Sequence, residues 1–148
     1  MFKDNFKMVG KLNLLLTSAE DQVKLDITYP NLVVSTGKAY VAQRMTANTT
    51  AVMTSIAIGS SGTSANIADT ALGAEITRVA FTSANVVANT ITYISTYVPG
   101  TGTGALQEAG IFNATAANSG TMLCRTTFPV VNKEAGDTLT VTWNVSPN

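Results

Sequence analysis

The stretch TLTVTWNV, at residues 138–145, decides the fold of this chain. Large apolar side chains occupy alternate positions, and Thr or Asn fills the positions between them. Because successive side chains of a β-strand point to opposite faces, this alternation predicts a strand with one buried face and one polar face. The buried face is expected to consist of Leu139, Val141, Trp143 and Val145.

A second strand signal lies near the N-terminus. Apolar and polar residues alternate at the start of Val9–Leu16, which then becomes continuously apolar. In Val23–Tyr29 every second residue is apolar. Ser18–Asp21 between them has the composition of a turn, so the two strands are expected to form a hairpin. Pro30 should end the second strand because it has no N–H to donate.

The rest of the chain continues in strands. Further strand-like segments are Met53–Ile58, Ala74–Thr82, Val86–Val98, Ala105–Asn113 and Thr121–Val131. With the three strands above, this gives about eight strands at the spacing typical of a sandwich. We therefore predict a single domain over residues 1–148, an all-β, antiparallel, jelly-roll-like β-sandwich.

One short helix is predicted among the strands. Val34, Lys38, Val41 and Met45 recur at near-helical spacing, which favours a helix over about Gly37–Met45. Ser35 or Thr36 could cap its start. A short helix of this kind usually covers the edge or end of a sheet, and the hairpin-plus-helix portion, residues 1–50, is our candidate docking element.

Charge is scarce in this chain. Only 12% of the residues are charged, with nine of each sign, which is about half of the usual share. Such a surface is suited to contacts with copies of itself or with other proteins. The basic residues form no run, and Lys3, Lys7 and Lys11 beside Asp4 are interpreted as a solvated face. Nucleic acid is therefore not expected as a partner.

Neither a secretory signal nor a membrane span is predicted. The first residues lack an apolar stretch with a cleavage site, and Leu14–Leu16 is far too short to cross a bilayer. The chain is expected to be made in the cytoplasm. Its single cysteine, Cys124, is interpreted as a small buried hydrophobe; the alternative is a reactive thiol activated by Arg125.

The sequence predicts no catalytic, metal or cofactor site, no small-molecule substrate and no enzyme activity. There is no histidine, which excludes histidine-based catalysis and metal binding, and one cysteine excludes a thiolate zinc site. Gly59–Thr63 and Gly100–Gly104 lack phosphate-loop spacing and are predicted turns. Tyr93, Tyr97 and Trp143 are expected in the core or an interface.

The carboxylates leave alternatives open. Glu75 and Arg78, three apart in a strand, should point to opposite faces and pair with other strands. Glu108 lies in an apolar strand and needs a partner, which Arg78 or Arg125 could supply as a structural ion pair. The alternative is a two-carboxylate glycosidase site made by Glu75 and Glu108.

Two aspartates fall in sequences typical of turns. These are Asp69 and Asp137, whose side chains are expected to accept hydrogen bonds from nearby backbone N–H groups.

About two-thirds of the chain, from Met53 onward, resembles a family of small virion proteins of tailed bacteriophages. Glu108–Phe112 (EAGIF) followed by Gly120–Leu123 (GTML) is its most specific part. The segments that carry the resemblance are Ile56–Thr63, Asp69–Glu75 with Arg78, Gly102–Asn113, Gly120–Arg125 and Asp137–Trp143.

This resemblance implies a structural component of the virion. Members of the family are often labelled tail fibre or virion proteins, and some resemble capsid cement proteins. The short chain without shaft repeats favours a cement or decoration protein that binds the major capsid protein and copies of itself, as a dimer or trimer. A tail fibre or tail-tip component in host attachment is the alternative.

Overall fold

The computed structural model describes residues 6–46 and 49–148, which form ten strands and one helix. The elements are β1 (Met8–Thr17), β2 (Val23–Pro30), β3 (Leu32–Val33), α1 (Ser35–Thr46), β4 (Ser55–Gly59), β5 (Glu75–Ala80), β6 (Ser83–Val87), β7 (Thr90–Tyr97), β8 (Gly104–Phe112), β9 (Met122–Lys133) and β10 (Thr138–Pro147). They confirm the all-β sandwich.

Two five-stranded antiparallel sheets enclose the core. The first sheet has the order β2-β1-β10-β7-β6 and the second β3-β9-β8-β4-β5. The segment quoted first lies inside β10, and Leu139, Val141, Trp143 and Val145 are buried as predicted. Tyr93 and Tyr97 are also core residues.

The N-terminal hairpin is confirmed as β1 and β2, with the turn where the sequence placed it. Its first strand is not peripheral, because β1 lies between β2 and β10. Leu12, Leu14 and Leu16 of β1 are buried in the core. Deleting the hairpin would remove part of the core, so any docking role of this region must be tested with surface substitutions.

The prediction of one strand over Val86–Val98 was wrong. The segment contains a turn at Ala88–Asn89, which separates edge strand β6 from β7. Ala88 adopts a left-handed backbone conformation with φ of 54°. The turn contains neither Gly nor Pro, and Asn89 is its only residue of a type that favours turns.

The helix is confirmed, but it begins two residues earlier than predicted and ends at Thr46. The predicted capping role of Ser35 or Thr36 is wrong, because both residues lie inside the helix. The Thr36 hydroxyl instead donates to the carbonyl of Met122 at 3.0 Å. Gly37 lets the helix lie against β9, because a β-carbon there would collide with the backbone of Leu123. In the described residues, no helix is long and apolar enough to cross a membrane.

Candidate functional site

A buried ionic cluster, which we call the Glu108 cluster, joins Glu108 to Arg125 and Asp69. The Glu108 carboxylate is fully buried and accepts hydrogen bonds from Arg125 Nε at 3.0 Å and Nη2 at 2.8 Å. It also accepts from the backbone N–H groups of Ser61 (3.2 Å), Gly73 (2.8 Å) and Ala74 (2.7 Å). These five bonds confirm the predicted structural ion pair and identify Arg125 as the partner.

Arg125 extends the cluster to the long β4–β5 loop. Its Nη1 donates to Asp69 Oδ2 at 2.8 Å, and its Nη2 donates to the carbonyl of Thr63 at 2.9 Å. Asp69 also accepts from the N–H of Asn66, as its turn sequence predicted. The cluster therefore fixes a loop without helix or strand onto β8 and β9.

A second ion pair contradicts a prediction. Glu75 and Arg78 bind each other through two bonds of 2.7 Å, instead of pairing with other strands. The cause is an irregular register at Ile58–Gly59, which places an extra residue, Ile76, in β5 and brings Glu75 to the face of Arg78. The Arg78 guanidinium also lies 4.0 Å from the centre of the Phe112 ring.

A third group of charges lies where β9 turns into β10. Lys24 Nζ lies 2.8 Å from Asp137 Oδ2 and 3.2 Å from Glu134 Oε2. The hydrogen bond from Lys24 and that from the Glu134 N–H lower the pKa of Asp137. Asp137 thus accepts from its turn backbone, as predicted. Lys133 is buried beside it, and burial lowers its pKa.

Both candidate glycosidase carboxylates are held by arginines. Glu75 forms a bidentate pair with Arg78, and Glu108 is saturated by Arg125 and backbone donors. Cys124 is fully buried, and burial raises its pKa well above the usual thiol value, which confirms the interpretation as a small core residue.

A surface groove of about 770 Å³ lies at the other end of β1. Its walls are the start of β1, the strand β3, the end of β10 and one face of α1. Apolar side chains dominate, and Val9 and Met45 are exposed along it, Met45 to 79%. Val41 of the helix also lines the groove and packs partly against the core.

Three lysines border this groove. They are Lys7, Lys11 and Lys38, all exposed, and no carboxylate belongs to the described lining residues. Within the described chain none of the three forms an ion pair, whereas Lys24, Arg78 and Arg125 all do. We call the site the lysine groove.

The floor of the groove is tied to the core. The side chain of Asn31 crosses β1 at Gly10, where a β-carbon would collide with its Oδ1. That oxygen accepts a hydrogen bond from Trp143 Nε1 at 3.1 Å. The only tryptophan of the chain is thus one hydrogen bond away from the groove.

The sequence groups some of these lysines without predicting a site. Lys7 and Lys11 are interpreted there as part of a solvated face, and Lys3 and Asp4 lie outside the described residues. Lys38 was assigned only to the helix, although its spacing with Val41 and Met45 marks one helical face. The groove itself was missed because it forms only where α1 meets β1.

Comparison of this chain with protein-family models, with curated proteins and with solved structures finds no match. Its class is therefore defined by its own structure, an all-β sandwich of two five-stranded sheets with one helix.

Proposed function

We propose that the chain is a non-enzymatic structural protein of a tailed-phage particle, a capsid cement protein whose contact surface is the lysine groove. The observation that carries the proposal is the distribution of charge. Buried and paired ions stabilise the fold, and the exposed lysines without ion pairs in the described chain gather around one apolar groove. An apolar centre with a polar rim is the usual anatomy of a protein contact.

The resemblance to small virion proteins supports this proposal in a specific way. The residues that carry it include Asp69, Glu75, Arg78, Glu108 and Arg125, which build the Glu108 cluster and the Glu75–Arg78 pair. Their role is to hold the scaffold. The groove belongs mainly to the first 50 residues, where the resemblance is weaker, and this is where a contact surface particular to one particle would lie.

The proposed mechanism is preferential binding. A rigid sandwich that binds across junctions of the major capsid protein in the expanded shell, and not in the unexpanded one, stabilises the expanded state by mass action. The few surface charges reduce the desolvation cost of such a contact.

The test is the copy number of this chain per purified virion, measured by quantitative mass spectrometry. We expect copies comparable in number to the major capsid protein, and particles lacking the chain should burst at lower osmotic stress. A handful of copies, with loss of adsorption in their absence, would overturn the cement function and favour a tail component.

The role of the groove is tested with matched surface variants. Met45→Glu places a charge at an exposed groove position, and Val87→Glu does so at the β6 edge, where Val87 is 75% exposed. We expect Met45→Glu to fold normally but to be lost from particles, and Val87→Glu to be incorporated. The reverse pattern would assign the contact to the β6 edge.

A further inference from the structure

The end of the molecule opposite the lysine groove is acidic. Here the β1–β2 turn, Ser18–Gln22, lies beside the β9–β10 turn, Glu134–Asp137, and Ala19 approaches Gly136. We call these two turns with their neighbouring lysines the acidic end. Four carboxylates, those of Glu20, Asp21, Glu134 and Asp137, against Lys24 and Lys133 leave a net charge of −2.

The acidic end also exposes apolar side chains. Val23, which follows the β1–β2 turn, is 64% exposed. Val98 is 53% exposed and lies beside the β9–β10 turn, since its carbonyl accepts a hydrogen bond from Lys133 Nζ. The acidic end is therefore an apolar surface bordered by carboxylates, and the lysine groove is an apolar surface bordered by lysines.

The distance between the two surfaces prevents them from neutralising each other. They lie at opposite ends of the ten residues of β1, roughly 30 Å apart at the rise of an extended strand. The Debye length at physiological ionic strength is about 8 Å, so charges at this separation are screened within one molecule. Between two molecules the same charges can come into contact.

We propose that the lysine groove of one copy receives the acidic end of a second copy, so that the chain associates head to tail. Val23 and Val98 enter the groove beside Val9 and Met45. The exposed carboxylates of Glu20, Asp21 and Glu134 meet the three lysines. Such a contact joins two different surfaces, so a pair of copies keeps one free groove and one free acidic end. Repetition gives a ring where the rotation closes and an open string where it does not.

This inference rests on the proposed function and names a neighbouring copy, rather than the major capsid protein itself, as the occupant of the groove. Its test uses the isolated full-length chain. Sedimentation velocity is measured over a range of concentrations at low and high salt. We expect association that grows with concentration and weakens at high salt. A wild-type chain that stays monomeric at low salt would overturn the inference. Loss of Met45→Glu from particles would then assign the groove to the shell protein and leave the proposed function intact.

Charge reversal gives the sharpest form of the test. The groove variant carries Lys7→Glu, Lys11→Glu and Lys38→Glu, and the end variant carries Glu20→Lys, Asp21→Lys and Glu134→Lys. Each alone should lose about tenfold or more in association constant, because like charges then face each other. Mixed, they should associate again, because the intact end of the first fits the intact groove of the second and the two reversed surfaces also carry opposite charges.

Two controls make the result specific. Trp143 fluorescence checks that each variant is folded, since this side chain is fully buried in the wild type. Ser64→Glu, Asn85→Glu and Ala117→Glu add negative charge at exposed positions outside both surfaces and should leave association unchanged. Association that survives either reversal alone, or a mixture of the two variants that does not associate, would overturn the head-to-tail contact.

Discussion

The Glu108 cluster and the lysine groove use charge in opposite ways. In the cluster, a fully buried carboxylate is saturated by one arginine and three backbone N–H groups. In the groove, Lys7, Lys11 and Lys38 remain exposed around apolar side chains, without an ion pair in the described chain. A chain with so few charges thus has some of them in ion pairs that stabilise its fold and others around the groove that we propose as a contact surface.

This difference separates two kinds of residue that look alike in the sequence. Charges buried in pairs are expected to be sensitive to any substitution, because removing one partner leaves the other buried without compensation. Charges on the groove are expected to be replaceable without loss of the fold. Four measurements of stability test this separation.

Glu108→Gln should have the largest effect. It leaves the Arg125 charge buried and weakens the anchoring of the β4–β5 loop, so the free energy of unfolding should fall by about 3–5 kcal/mol. Urea denaturation followed by Trp143 fluorescence measures it. The same change at the exposed turn residue, Glu20→Gln, should cost less than about 0.5 kcal/mol. Equal losses of stability in the two variants would show that buried paired charges and exposed charges do not differ in their contribution to the fold.

Arg78→Lys should have an intermediate effect. Lysine keeps the charge but loses the bidentate geometry to Glu75 and the planar contact with Phe112. We expect a loss of about 2 kcal/mol in the same urea assay. A variant as stable as the wild type would show that the bidentate pair does not contribute to stability.

The Asp137 pair should give a pH-dependent effect. Because the Lys24 and Glu134 hydrogen bonds lower the pKa of Asp137 in the folded chain, its stabilisation is complete above the ordinary carboxyl pKa of 3.8. It is lost as the pH falls through the lowered value. The stability difference between wild type and Asp137→Asn should therefore shrink on acidification below about pH 4. A stability difference that stays constant in urea titrations at several pH values would show that protonation of Asp137 does not affect the stability of the fold.

The smallest effect is expected at the groove. The triple variant Lys7→Gln, Lys11→Gln and Lys38→Gln should retain the wild-type unfolding free energy to within about 0.5 kcal/mol per site, because exposed charges contribute little to stability. The same urea assay measures it. A loss comparable to that of Glu108→Gln would mean that these lysines belong to the fold, and would remove the groove as a contact surface.

The alternation of apolar and polar side chains at residues 138–145 and in the N-terminal hairpin determined the fold class. Successive side chains of a strand point to opposite faces, so this pattern gives strands with one face buried in a core and one face exposed. The need of Glu108 for a partner also followed from the sequence, since a carboxylate in an apolar strand cannot remain unpaired. That the partner is Arg125 was decided by the pairing of β8 with β9.

Tertiary structure alone decided the rest. The irregular register at Ile58–Gly59 places Glu75 on the same face of β5 as Arg78. No local sequence pattern predicts the extra residue, Ile76, that causes it. The lysine groove arises where α1 meets the start of β1, and Lys38 joins Lys7 and Lys11 only there. Composition and periodicity act over neighbouring residues, whereas a surface site depends on which distant segments the packed sheets bring together.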